Sequence, residues 1–103
     1  MRSMCLHALP PVLKREFKKL GKDIRYARIR RNMTVKELAD KAFISENTMM
    51  RIEKGAPTVS IGIYGRVLYF LGLRNRMGML ADISCDAISQ ELENEKLPKR
   101  VRH

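Results

Sequence analysis

The feature that most constrains this chain is a pair of short amphipathic segments joined by only three residues. The first segment, 35–42, follows Thr34 and contains Glu37, and these two residues have the spacing of a capping box. The second segment, about 46–54, follows the N-cap residue Ser45 and is stopped by a Gly-x-Pro sequence. We therefore predict two helices, and so short a connection forces them to cross steeply instead of lying antiparallel.

A longer helix is predicted before this pair. It starts at Pro10-Pro11 and extends from about Val12 to Arg31, because its apolar residues recur near helical spacing. Glycine inside a helix costs about 0.5–1 kcal/mol relative to alanine. Gly21 is therefore the weak point at which this helix can break into two pieces.

Two further helices are predicted after the pair. The first, 61–71, follows the N-cap Ser60 and ends at a glycine. It is expected to turn five side chains toward the core: Ile61, Tyr64, Val67, Leu68 and Leu71. The second helix, 74–81, is expected to bury Met77 and Leu80.

The domain organisation follows from this count of helices. Several helices joined by short connections predict a compact all-α domain over residues 12–82, with a flexible arm over 1–11 before it. Residues 83–103 are expected to form an extra helix, over 85–96, and a basic tail. This last helix either closes the bundle or offers a surface to a second copy or a partner, and both interpretations stay open.

The charge of the chain is concentrated at one end. The net charge is +10, of which residues 1–31 carry +8. A positive field of this kind attracts nucleic-acid phosphates through counterion release. A solvated helix face, an acidic protein partner or a membrane surface would also account for the charge, so charge alone does not decide.

Other classes of protein are not indicated. No apolar run approaches the roughly 20 residues that span a bilayer, and no secretory signal is found. The cysteines, Cys5 and Cys85, suggest no disulfide framework, which favours a reducing cytoplasm. The histidines, His7 and His103, lie in the expected tails, so we predict no metal site, no cofactor and no enzymatic activity.

The second helix of the pair has one face that the core does not need. Small Ala39 lies where the two helices are expected to touch, and Met49 and Ile52 are expected to face the core. The opposite face of the second helix carries Glu46, Asn47, Met50 and Arg51. This is the helix-turn-helix arrangement, in which the second helix enters the major groove of DNA, where Asn can pair with adenine and Arg with guanine.

The chain resembles the Cro/C1-type (XRE) helix-turn-helix repressors. The resemblance covers about 20–73 and is carried by Leu20-Gly-Lys-Asp-Ile-Arg-Tyr-Ala-Arg28, Leu38-Ala39 and Ser45-x-x-Thr48-Met-x-Arg51-Ile-Glu53-Lys-Gly55. It implies a five-helix, lambda-repressor-like domain that binds double-stranded operator DNA.

The resemblance also assigns roles to individual residues. It implies base contacts from Glu46, Asn47, Met50 and Arg51, and a structural salt bridge between Arg28 and Glu53. The remaining DNA-binding residues that it implies lie along the phosphate backbone: Val35, Lys36, Ser45, Thr48 and Lys54.

Three positions depart from the family pattern or are unusual in it. Val35 stands where the family usually has Gln, which removes one contact to DNA. Phe43 stands where the turn usually has Gly, and a bulky residue at positive φ costs energy. Glu46 either accepts a hydrogen bond from cytosine N4 or faces water.

At a finer level the chain looks like the HipB-type antitoxins. This resemblance is carried by Ser60-x-x-x-Tyr64-x-Arg-Val-Leu-x-x-Leu71-Gly-Leu and by the late Leu97-Pro-Lys-Arg-Val-Arg102. It implies a homodimeric repressor of its own operon whose partner is a HipA-family serine/threonine kinase toxin. A phage- or plasmid-type repressor without a toxin and a protein-interaction module on the same fold remain alternatives.

Overall fold

A computed structural model describes residues 9–83, and these residues contain helices and no strand. Four α-helices are followed by one 3₁₀ helix: α1 Pro11–Arg30, α2 Val35–Ala42, α3 Glu46–Glu53, α4 Ile61–Phe70 and the 3₁₀ helix Arg74–Met79. The prediction of an all-α fold is confirmed. Most of the predicted arm, over 1–11, and the predicted C-terminal helix and basic tail lie outside the described residues.

Helix α1 is continuous, so the predicted weak point at Gly21 is not a break. Gly21 is buried against α3, and a Cβ atom there would lie 2.7 Å from the carbonyl oxygens of Ile52 and Glu53. The glycine is therefore explained by a close approach between two helices and not by a bend. The cost of glycine in a helix is offset by the packing that its missing side chain permits.

The helix pair begins where the capping residues predict. The Thr34 hydroxyl accepts a hydrogen bond from the backbone N–H of Glu37 at 3.0 Å, and the Glu37 carboxylate accepts one from the N–H of Thr34 at 2.7 Å. The Ser45 hydroxyl accepts one from the N–H of Thr48 at 3.0 Å. Each bond satisfies a donor that the first turn of a helix leaves free.

The core lies where α1, α2, α3 and α4 meet. Helix α2 packs on both α3 and α4, and α3 also packs on α1. The buried apolar side chains are Ile24, Ala27, Leu38, Ala39, Ala42, Met49, Ile52, Tyr64, Val67, Leu68 and Leu71. As predicted, Ala39 is fully buried between the paired helices, and Met49 and Ile52 turn the inner face of α3 into this core.

The last part of the described chain departs from prediction at three points. Residues 74–79 form a 3₁₀ helix that ends before the predicted boundary. The predictions that Ile61 and Leu80 face the core are wrong, because the exposed fraction is 65% for Ile61 and 68% for Leu80. Ile61 is the first residue of α4, and Leu80 directly follows the 3₁₀ helix. Met77 is partly buried against the core.

Within residues 9–83, no helix is long and apolar enough to cross a membrane.

Candidate nucleic-acid interface

Helix α3 presents to solvent the face that the sequence assigned to base contacts. Glu46, Asn47, Met50 and Arg51 are all exposed, and Met50 is 47% exposed although it is apolar. Because the inner face of the helix is fully buried, the helix cannot rotate to hide these side chains without exposing its core residues. The outer face is thus fixed in an outward position.

A buried ion pair ties α3 to α1. The Arg28 Nε donates to Glu53 Oε2 at 2.6 Å, and the Arg28 Nη2 donates to Glu53 Oε1 at 3.1 Å. These two bonds form the predicted salt bridge, and it is bidentate. The Nη1 of Arg28 also donates to the carbonyl oxygen of Met33 at 2.8 Å. Both side chains of the pair are nearly buried. The hydrogen bond to Glu53 raises the pKa of Arg28 above its ordinary value, although burial acts in the opposite direction.

Two glycines bring α1 against the end of α3. Gly21 faces the last residues of α3, as described above. Gly55, just after α3, has a φ of +82°, and a Cβ atom there would lie 2.7 Å from the Cα atom of Lys18. Glycine allows both the left-handed backbone and the close contact. Because no side chain intervenes, the position of α3 is set by the backbone of α1.

The loop after α3 contacts Arg51, one of the exposed side chains of α3. The Nη2 of Arg51 donates to the hydroxyl of Thr58 at 2.7 Å, and the Tyr64 hydroxyl donates to the carbonyl oxygen of Ala56 at 2.6 Å. Burial raises the pKa of Tyr64, and the nearby Arg51 acts in the opposite direction. A guanidinium has five N–H donors, so Arg51 keeps further donors beyond the one that Thr58 accepts.

The residues assigned to the phosphate backbone lie at the start of α2 and at both ends of α3. Lys36, Ser45 and Lys54 are exposed, and Val35 and Thr48 are partly buried. The Ser45 hydroxyl donates to the Thr48 hydroxyl at 3.0 Å. Lys36 forms an exposed ion pair with Asp40 at 3.2 Å, a kind of pair that contributes little to stability. Three of these five residues are thus open to solvent, and the other two are partly so.

The turn between α2 and α3 adopts a left-handed backbone without a glycine. Phe43 has φ 59° and ψ 44°, and 78% of the residue is exposed. Its N–H donates to the carbonyl oxygen of Asp40, and the N–H of Ile44 donates to that of Ala39. The strained residue therefore gains little stabilisation from packing. The turn has the left-handed conformation for which the family pattern uses glycine.

Sequence reasoning missed three polar contacts that hold this site. Besides Thr58 and Tyr64, the Nη1 of Arg66 donates to the carbonyl oxygen of Ala42 at 3.2 Å and so satisfies the end of α2. All three contacts join residues at least seven positions apart. No local pattern carries this information, because these contacts exist only after the helices pack.

The described residues contain no group of three or more His, Cys, Asp or Glu side chains that could hold a metal ion.

Comparison with known proteins agrees with this geometry. Residues 23–72 match a family model described as Cro/C1-type HTH DNA-binding domain. This match supports a sequence-specific DNA-binding transcription regulator, and it covers just under half of the chain. The search of curated proteins found no match. The search of solved structures found none either.

Proposed function

We propose that this chain, whose residues 23–72 match a Cro/C1-type DNA-binding domain, is a transcriptional repressor that uses α3 as its recognition helix. The observation that carries the proposal is the outward face of α3. That face is exposed along its length, while Met49 and Ile52 behind it are fully buried. Such a helix fits the major groove of B-DNA, whose width of about 12 Å admits one α-helix.

The exposed side chains suit a mixed base sequence. Asn47 pairs with the N6 and N7 atoms of adenine, and Arg51 pairs with the O6 and N7 atoms of guanine. Met50 contacts the methyl group of thymine, and Glu46 accepts a hydrogen bond from cytosine N4. Thr58 holds the Arg51 guanidinium at 2.7 Å, so less side-chain freedom is lost when DNA binds.

The surrounding residues fix the orientation of the domain on DNA. Lys36 and Lys54 attract phosphates, and the hydroxyls of Ser45 and Thr48 lie at the start of α3. Val35 supplies no hydrogen bond where the family usually has Gln, so the other contacts carry the binding to the backbone. Contacts of this kind set position and affinity without reading sequence.

The repressor binds its operator as a homodimer. Single modules of this size seldom bind DNA tightly, whereas two linked copies read two half-sites about one helical turn apart. The operator is therefore expected to be an inverted repeat with that spacing.

At the finer level we propose the antitoxin component of an operon that encodes a HipA-type kinase toxin. The support is the resemblance of Ser60-x-x-x-Tyr64-x-Arg-Val-Leu-x-x-Leu71-Gly-Leu to HipB-type antitoxins. In this arrangement the dimer represses the promoter that drives both genes and recruits the kinase to DNA.

The first test measures binding to DNA from the region upstream of the gene by fluorescence anisotropy. The double variant Asn47→Ala/Arg51→Ala loses two base contacts of about 1–3 kcal/mol each, so we expect its Kd to rise roughly 30-fold or more. Lys54→Ala should weaken binding to all sequences and reduce the salt slope by about 1. Arg25→Ala, which removes an exposed cation on α1 outside the assigned contacts, is the matched control and should change binding least.

Equal affinity of the wild-type chain for operator and scrambled DNA would contradict sequence-specific binding. If the double variant keeps its function in cells after losing the operator, the protein-interaction module is the better interpretation.

The second test addresses the toxin. The neighbouring open reading frame is expected to encode a HipA-type kinase, and the purified kinase is expected to form a complex with this chain. A neighbouring integrase or methyltransferase gene would favour the phage- or plasmid-type repressor.

A further inference from the structure

An open apolar groove lies away from the face proposed to bind DNA. Its volume is about 820 Å³, and it runs between α1, the beginning of α4 and the 3₁₀ helix. Leu13, Phe17 and Leu20 line one side, and Ile61, Met77 and Leu80 line the other. None of the residues assigned to base or phosphate contacts lines it.

Several apolar residues of this groove are exposed to solvent. Ile61 and Leu80, which the periodicity assigned to the core, are mostly exposed and both face it. Contiguous exposed apolar surfaces of this kind mark places where another element packs. The two wrong predictions therefore share one explanation, namely that the groove lacks its covering element within residues 9–83.

We propose that residues 84–97 of this same chain form that covering element, as an amphipathic helix lying in the groove. The described chain ends at Ile83, which is half-exposed and only three residues beyond the groove residue Leu80. Ser84 supplies an N-cap, and Ile88 and Leu92 have the four-residue spacing of one helix face.

The dimensions agree with this assignment. A helix over 84–97 would be about 21 Å long, and the 20-residue α1 beside the groove spans about 30 Å. The segment would therefore be shorter than the helix that forms one side of the groove.

The charges also agree. Residues 84–97 contain four carboxylates and one lysine. The groove is lined by Lys19, Arg30 and Arg76 and by two carboxylates, of which Asp23 is already paired with Lys19. Among the described residues, Arg30 and Arg76 form no ion pair. An acidic helix would give these two cations partners.

The short link between the described chain and residues 84–97 favours covering of the groove by the same chain over covering by a second copy. A tether of a few residues holds 84–97 beside its own groove at a high effective concentration, which a second molecule must reach by diffusion. The proposal does not rest on DNA binding, so it stands or fails separately from the repressor function.

A pair of matched variants of the full chain tests the covering. Leu92→Asp and Gln90→Asp each add one carboxylate to the same segment, but only the first places it on the proposed buried face, because Gln90 lies on the opposite side of such a helix. We expect Leu92→Asp to lower Tm by about 5 °C or more and Gln90→Asp to change it by about 1 °C or less. Equal Tm values for the two variants would overturn the proposal.

A spin label locates the segment directly. In the variant Cys5→Ser/Cys85→Ser/Asn94→Cys, a nitroxide on the introduced thiol should broaden the amide signals of Phe17 and Leu20 and spare that of Asn47. Absence of broadening at Phe17 and Leu20 would overturn the proposal.

A mixed sample distinguishes the source of the covering segment. Spin-labelled chains without ¹⁵N are combined with ¹⁵N-labelled chains without the spin label, and no broadening is expected. Broadening of Phe17 in this mixture would show that a second copy covers the groove and would overturn the assignment to the same chain.

Discussion

The helix pair α2–α3 and the stretch 74–83 differ in how completely their helices are capped and buried. In the pair, both helices have side-chain N-caps, and Leu38, Met49 and Ile52 are fully buried. The 3₁₀ helix has no side-chain cap and no buried residue. The pair is thus capped and packed within the described chain, whereas the 3₁₀ helix of the later stretch is neither capped by a side chain nor fully buried there.

The largest expected effect comes from a substitution that removes side-chain volume from the core of the helix pair. Leu38→Ala creates a cavity in a fully buried site, so we expect the free energy of unfolding to fall by about 2–5 kcal/mol. Met79→Ala, at a half-exposed position outside the groove, is the control and should change it by about 0.5 kcal/mol or less. Chemical denaturation measures both, and similar losses would show that the two regions are equally packed.

Two glycine substitutions are expected to have opposite signs. Gly21→Ala inserts a methyl group 2.7 Å from backbone atoms of α3, and this overpacking should destabilise the fold by about 1–3 kcal/mol. Gly62→Ala in α4 meets nothing within 4 Å and should stabilise it by about 0.5–1 kcal/mol. Thermal unfolding of the two variants side by side checks the signs. A stabilising Gly21→Ala would contradict the close approach of α1 and α3.

Phe43, in the turn between α2 and α3, has a strained left-handed backbone. Phe43→Gly should stabilise the fold by about 1 kcal/mol, because a left-handed conformation costs a residue with a side chain about 1–2 kcal/mol and this ring is mostly exposed. Asn32→Gly, at the other non-glycine residue with positive φ, offers a comparison with a smaller expected gain, because asparagine tolerates this conformation better. A loss of stability in Phe43→Gly would indicate that the ring packs in solution.

The smallest expected effect is a dependence on alkaline pH. Burial raises the pKa of Tyr64 above its ordinary value of 10.0, so its contribution to stability is complete below that pH and is lost as pH rises through the folded value. Tyr64→Phe should therefore show a shallower decline of stability above about pH 10. Tyr69→Phe, on the exposed side of α4, is the matched control for denaturation at pH 9 and pH 11. Parallel declines in the wild-type chain and Tyr64→Phe would contradict this role.

Local chemistry made the helix pair predictable. Thr34, Glu37 and Ser45 mark helix starts through bonds to backbone groups no more than three positions away, so the order of residues already contains the interaction. The outward face of α3 followed from the same periodicity that placed Met49 and Ile52 in the core.

Features that depend on tertiary packing were harder to predict. The weak point expected at Gly21 was based on helix propensity, whereas the contact with α3 determines that residue. Periodicity also assigned Ile61 and Leu80 to the core, because a pattern shows which side of a helix is apolar and not which element lies against it. The contact of Arg51 with Thr58 depends on a loop path that no local signal describes.

The guanidinium of Arg28 joins three parts of the chain at once: the helix that carries it, the carbonyl of Met33 and the carboxylate of Glu53. If any one of these parts separates, a charge near the interior loses partners that water cannot readily replace. Separation of any one of these parts is therefore costly, so α1, the segment that follows it and the end of α3 are expected to open together and not one at a time.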